Sequence, residues 1–102
     1  MGSTVVVKNG SARRIDIKTG ADKGSIGSSN VLSGASDGEN IILVYTNGTA
    51  RRYDANTSAD RGSIGPTRVK GCSVSGGIAI ITDANGSSRR YDAKTGADKG
   101  SV

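Results

Sequence analysis

Paired arginines and nearby aspartates are the side chains of this 102-residue chain best suited to chemistry. Three Arg-Arg pairs are each followed by an aspartate two residues on: Arg13-Arg14 with Asp16, Arg51-Arg52 with Asp54, and Arg89-Arg90 with Asp92. Successive side chains of a strand point to opposite faces, so the second arginine shares a face with the aspartate. Because charges between packed sheets are normally paired, we predict structural ion pairs for Arg14, Arg52 and Arg90, with the aspartate of the same strand or of a neighbouring repeat. The change Arg52→Ala should then destabilise the protein by leaving Asp54 unpaired. The alternative is a ring of guanidinium groups that binds phosphate or carboxylate.

The first arginine of each pair, at Arg13, Arg51 and Arg89, has no such acid on its own strand. These three positions are therefore the better candidates for contact with solvent or a ligand, either an anion or a carbohydrate. Tyr45 joins them because it lies outside the repeated tyrosine position. Tyr53 and Tyr91 occupy that position, which holds Ile15 in the first copy. An aliphatic replacement favours packing in the core. The acids Asp22, Asp60 and Asp98 lie in glycine-rich turns, where we expect them to bond turn amides.

The composition argues against catalysis and against metal or cofactor binding. The chain has no His, nine acids and one cysteine, Cys72. General acid–base and nucleophilic catalysis usually need His, paired carboxylates or an activated thiol, and zinc needs several Cys or His ligands. We therefore predict no enzyme, no catalytic residue, no metal and no cofactor, with Cys72 a buried, inert thiol.

The charge balance and the apolar segments bound the partners and the location. The net charge of +5 raises the question of nucleic acid, but three Tyr offer few stacking platforms, so nucleic acid is disfavoured. No stretch has the length of a membrane span, and no apolar signal-peptide core is present. We predict a cytoplasmic protein, or an isolated fragment, that does not engage a membrane.

A repeat of 38 residues must position these side chains. The segment NGSARRIDIKTGADKGSIG at Asn9 returns at Asn47 and Asn85 with a constant spacing. Such regularity indicates stacked copies of one supersecondary unit. An apolar, β-branched run precedes each Asn-Gly, and this combination predicts a hairpin with a two-residue type I′ turn. The nearly continuous apolar runs suggest sheets that are covered on both faces.

Each repeat reads as four short antiparallel strands. We predict an all-β single domain over residues 1–102, with units of about 3–27, 28–65 and 66–102. The run Arg-Arg-Tyr-Asp-Ala-Lys-Thr-Gly, residues 89–96, resembles the third strand and turn of β-propeller blades of the WD40-like and quinoprotein-like type, where an aromatic-Asp pair precedes a Thr-Gly turn. The resemblance covers essentially the whole chain and implies a β-propeller of four-stranded blades.

The strand count bears on how the propeller closes. The chain starts at the second strand of one blade and supplies about eleven strands, so one inner strand of about twelve residues is missing per chain. Because propellers usually have about four to eight blades, two chains joined head to tail would close a ring of six, and three would exceed the range. We predict a homodimer, with the missing strand swapped in from the partner or left vacant. A fragment of a longer propeller that happens to assemble is the competing explanation.

Two functions fit this architecture. The first is a non-catalytic, self-assembling scaffold or interaction module. The second is a lectin-like or anion-binding module with one site per blade.

Overall fold

The computed structural model describes residues 3–102 and contains eleven strands in three antiparallel sheets. The first sheet has β1 (Ser3–Lys8), β2 (Ser11–Asp16) and β3 (Asp22–Ile26), in the order β1-β2-β3. The second has β4 (Val31–Ser36), β5 (Asn40–Tyr45), β6 (Ala50–Asp54) and β7 (Asp60–Ser63), in the order β4-β5-β6-β7. The third has β8 (Val69–Ser75), β9 (Ile78–Asp83), β10 (Ser88–Asp92) and β11 (Asp98–Ser101), in the order β8-β9-β10-β11. The predicted all-β fold is confirmed.

We call the three sheets blades 1, 2 and 3. In blades 2 and 3 the first strand of the sheet, β4 or β8, lies at the inner edge, where the neighbouring blades meet. Blade 1 has three strands and begins with the strand that corresponds to β5 and β9. Among residues 3–102 its inner position is vacant.

The Asn-Gly hairpin of blade 1 has the predicted geometry. Asn9 and Gly10 have positive φ angles of 54° and 79°, and Lys8 pairs with Ser11 across them. Positive φ at both central residues defines a type I′ turn, which matches the right-handed twist of the two strands.

The same prediction is wrong in blades 2 and 3. Of the central residues in blade 2 only Gly48 has a positive φ, 89°. Its N–H donates to the Tyr45 carbonyl at 3.0 Å, and Tyr45 N–H donates to Thr49 at 2.8 Å, so this loop has three residues. One extra residue, Thr46, replaces the two-residue turn by a type I turn followed by a left-handed glycine.

Two apolar clusters hold the blades together, and each one lies between two neighbouring blades. Strand β5 supplies both, because alternate side chains point to opposite faces. Ile41 and Leu43 pack with the side chains of blade 1, whereas Ile42 and Val44 pack with those of blade 3. All six residues of β5 are buried. The prediction of a sheet covered on both faces is therefore confirmed for the middle blade.

Candidate functional site

The second arginine of the first two pairs joins neighbouring blades through backbone carbonyl groups. Arg52 donates from Nη1 to the Lys94 carbonyl of blade 3 at 2.6 Å, and from Nη2 to the Arg61 carbonyl of its own blade at 2.6 Å. Arg14 reaches from blade 1 to the Ala55 carbonyl of blade 2 at 3.0 Å. The guanidinium group thus acts as a clamp at each junction between blades.

The predicted ion pairs on the same strand are wrong. None of Arg14, Arg52 and Arg90 forms an ion pair with an acid in the described residues. The aspartates instead accept hydrogen bonds from the backbone amides two and three residues on: Asp16 from Lys18 and Thr19, Asp54 from Asn56 and Thr57, and Asp92 from Lys94 and Thr95. Asp54 also pairs with Arg61. These contacts, led by the turn amides, hold the pKa of all three carboxyl groups below the ordinary value. Removal of Arg52 would not leave Asp54 unpaired.

The first arginine of each pair has an acidic partner on the adjacent strand, and not on its own. The ion pairs join positions nine residues apart on adjacent strands: Arg13 to Asp22 at 2.7 Å, Arg51 to Asp60 at 2.9 Å, and Arg89 to Asp98 at 3.0 Å. The arginine hydrogen bond lowers the pKa of each carboxyl group. Each acid also accepts a glycine amide, which confirms the expected bond to the turn. Whether these half-exposed arginines bind a ligand stays a prediction.

Tyr45 is part of the core rather than an exposed platform. Its hydroxyl lies 2.6 Å from the Tyr53 hydroxyl and accepts the Ser28 N–H at 3.2 Å. Burial, together with the bond to Tyr45, raises the pKa of Tyr53. The predicted core position of Tyr53 and Tyr91 is confirmed, because both side chains are buried.

The structure brings two of the candidate ligand-binding residues together. Tyr45 and Arg51 line one cavity of about 370 Å³ at the junction of blades 1 and 2. Arg13 lines a separate cavity of about 430 Å³ on the face of blade 1 that points away from blade 2. Among residues 3–102, no group of three or more His, Cys, Asp or Glu side chains is placed to hold a metal ion. Burial raises the pKa of Cys72 to about 11, which disfavours the reactive thiolate.

The two outward faces of the chain carry exposed apolar side chains. We call the side of blade 1 that points away from blade 2 the N-terminal face, and the side of blade 3 that points away from blade 2 the C-terminal face. Val6 and Ile17 lie on the N-terminal face and are 50% and 58% exposed. Val102 lies on the C-terminal face and is 75% exposed.

The same repeat positions are buried wherever a neighbouring blade is present. Leu43 and Ile81 correspond to Val6 in strand register and are 0% and 2% exposed. Ile26 and Ile64 correspond to Val102 and are both 2% exposed. In the equivalent positions the cover is a neighbouring blade.

Comparisons with known proteins give the class to which this fold belongs. The crystal structure of BamB from Moraxella catarrhalis matches 99% of this chain and 33% of its own chain, with a TM-score of 0.71 and 21% identity. The computationally designed Ika8 protein matches 97% of this chain and 35% of its own, with a TM-score of 0.69 and 18% identity. The N-terminal domain of Nup159 matches 100% of this chain and 28% of its own, with a TM-score of 0.65 and 10% identity.

These neighbours show that the chain has the fold of β-propeller blades. At such low identity the likeness shows the fold alone, and the chain spans about a third of the length of each neighbour. No family model and no curated protein matches the sequence. The WD40-like or quinoprotein-like character of the blades stays a prediction.

The predicted homodimer did not identify the residues of the two terminal faces. The signal was available in the repeat alignment, because Val102 falls 38 residues after Ile64 and 76 after Ile26. The sequence contains no comparable signal for the carbonyl partners of Arg14 and Arg52, because every residue has a backbone carbonyl group.

Proposed function

We propose that this protein is a non-catalytic β-propeller scaffold that closes its ring with a second copy of itself. In this arrangement the N-terminal face of one chain packs on the C-terminal face of the other, at two equivalent junctions. Two copies give six blades, within the usual range of about four to eight. We place this scaffold in the cytoplasm, where a lone cysteine stays reduced.

The exposed apolar residues of the terminal faces carry the proposal. Val6, Ile17 and Val102 are exposed at positions that are buried in the other blades. Burial of apolar side chains is the main source of association energy. At each internal junction, a face equivalent to the C-terminal face packs on a face equivalent to the N-terminal face. The two terminal faces therefore complement each other, and neither complements a second copy of itself. This favours a head-to-tail ring over a face-to-face pair.

An arginine clamp that is half-used in a single chain supports the same junction. Arg90 donates from Nη2 to the Lys99 carbonyl of its own blade at 3.1 Å, as Arg52 does to Arg61. In the described residues Arg90 lacks the second contact, the one that Arg52 makes with Lys94 in the next blade. The repeat places Lys18 of a second copy at that position.

A pair of surface variants tests the proposal. We expect Val6→Lys to weaken self-association at least about tenfold, equal to about 1.4 kcal/mol, because it puts a charge into each junction. Leu32→Lys is the control, since Leu32 is 53% exposed but belongs to the middle blade. Sedimentation equilibrium over a concentration series measures both. Equal dissociation constants for Val6→Lys, Leu32→Lys and the unchanged chain would refute the proposed interface.

A further inference from the structure

The inner edge of blade 1 is an open strand edge. One edge of strand β1 pairs with β2 along its whole length. On the opposite edge only Ser3 forms a bridge, with Gly38 of blade 2. The corresponding strands β5 and β9 each pair with an inner strand as well as an outer one. From Thr4 to Lys8, β1 therefore offers backbone donors and acceptors that its counterparts use within the sheet.

This edge lacks the irregularity that protects the other edges. Each sheet has two edge strands, and every one except β1 shows a register shift against its partner: β3, β4, β7, β8 and β11. Bulges of this kind twist an edge away from further pairing. β1 runs in unbroken register over six residues and carries three consecutive valines at its centre. It is the edge in the described chain best suited to accept another strand.

Incomplete burial along β1 marks the same place. Val5 and Val7 point toward blade 2 and pack against its core, yet each is only partly buried. Ile42 and Val44 have the same register in blade 2, where β4 lies beside them, and both are fully buried. A strand on the edge of β1 would cover Val5 and Val7 in the way that β4 completes blade 2.

The strands that fill this position in blades 2 and 3 define the occupant. In β8, Val69, Cys72 and Val74 share a face with the side chains of β9 that point toward blade 2, and the other face carries Gly71, Ser73 and Ser75. In β4, the face toward blade 3 carries only Ser33 and Ala35 among the residues in register. Both inner strands therefore carry small side chains on the face that points in the direction of the next blade. Gly34 lies on the opposite face of β4, toward blade 1, and a Cβ there would lie 2.9 Å from Val5 Cγ1, so β4 also packs closely on β1.

We propose that the open edge of β1 is a β-augmentation site for an extended peptide. The peptide has small residues on the face toward blade 2 and apolar residues on the other, the pattern of β8. The eleven strands of a second copy are already paired in their own sheets, so ring closure does not supply this strand. The site lies within one chain and does not depend on the proposed dimer. Main-chain hydrogen bonds would give the affinity and the alternating side chains the specificity.

A synthetic peptide with the sequence of residues 65–75, carrying Cys72→Ala to prevent disulfide exchange, tests the proposal on the full chain. We expect one bound peptide per chain by native mass spectrometry, whether the chains are single or paired. Amide exchange from Thr4 to Lys8 should slow at least about tenfold at saturation, because these groups enter a ladder. No binding at millimolar peptide, or binding without protection of β1, would overturn the proposal.

Two controls locate the binding. A peptide that also carries Ser73→Pro and Val74→Pro should not bind, because proline removes an N–H from each of two consecutive residues and one of them must face β1. A variant with residues 65–77 joined ahead of Ser3 fills the position in the same chain and should lose peptide binding. Equal binding by the proline peptide, or by this variant, would show that the peptide binds elsewhere and refute the site.

Discussion

Arginines that are adjacent in the sequence have different partners because they lie on opposite faces of one strand. Arg51 reaches across its own blade to Asp60, with both side chains nearly half exposed. Arg52 points into the junction and donates to carbonyl groups of two blades. A solvated ion pair contributes little to stability, whereas charged hydrogen bonds between packed sheets contribute more.

This contrast predicts a difference between two matched variants. Arg52→Ala should lower the free energy of unfolding by about 2 kcal/mol, because two carbonyl groups lose a charged donor. Arg51→Ala should lower it by less than about 1 kcal/mol, because its ion pair is exposed to solvent. Urea denaturation followed by circular dichroism measures both. If the two variants lose the same stability, Arg52 is not a clamp.

The buried tyrosine pair predicts how stability depends on alkaline pH. The pKa of Tyr53 is raised, so the folded chain keeps a proton that the unfolded chain releases above about pH 10. The folded state then binds more protons, and stability must fall as the pH rises through this range.

The test compares Tyr53→Phe with the unchanged tyrosine, both with Cys72→Ala. The cysteine must be removed because its own raised pKa, about 11, gives a slope of the same sign. Between about pH 9 and about pH 11, Tyr53→Phe should show the shallower loss of unfolding free energy. Parallel curves would mean that Tyr53 titrates normally in the folded chain.

At the scale of the element, the strands followed from the sequence because their signals are local. Short β-branched runs between Asn-Gly and Thr-Gly turns contain the information for a hairpin within a few residues. The prediction of the turn type was wrong in blades 2 and 3, because the turn type depends on one additional residue before the asparagine, Thr46 or Ala84. The partner of Arg52 could not be found in this way, because Lys94 lies 42 residues away in the next blade.

The second turn of each repeat contains a left-handed backbone position, and in blade 2 this position is occupied by a residue other than glycine. Gly20 and Gly96 have φ angles of 77° and 82°, and Ser58 at the same position has 67°. A side chain in this left-handed region costs about 1–2 kcal/mol, which is partly offset by the lower flexibility of the unfolded chain.

Ser58→Gly should therefore stabilise the protein by about 0.5–1 kcal/mol. Gly20→Ser is the reciprocal control and should destabilise the protein by a similar amount. A Cβ at Gly20 meets no atom within 4 Å, so the effect comes from the left-handed backbone conformation and not from a steric clash. Thermal melting of both variants is sufficient. A lower melting temperature for Ser58→Gly would contradict this explanation.

At the scale of the whole molecule, the described chain is a row of three sheets, and the outer face of each terminal sheet has no neighbouring blade. Its two apolar clusters lie at the two internal junctions, and they rely on side chains from both neighbouring blades. The terminal faces present the same repeat positions without a neighbour, at Val6 and Val102. In the proposed ring the number of copies would depend on these faces and not on any single blade, so the sequence of one repeat does not predict it.

The mass of the unchanged protein in native conditions tests the central claim most directly. A ring of two copies predicts a species of about twice the 10.3 kDa chain mass. Dilution should convert it to single chains without a stable intermediate of another size. A chain that remains at 10.3 kDa at high concentration, with its blades folded, would contradict the account.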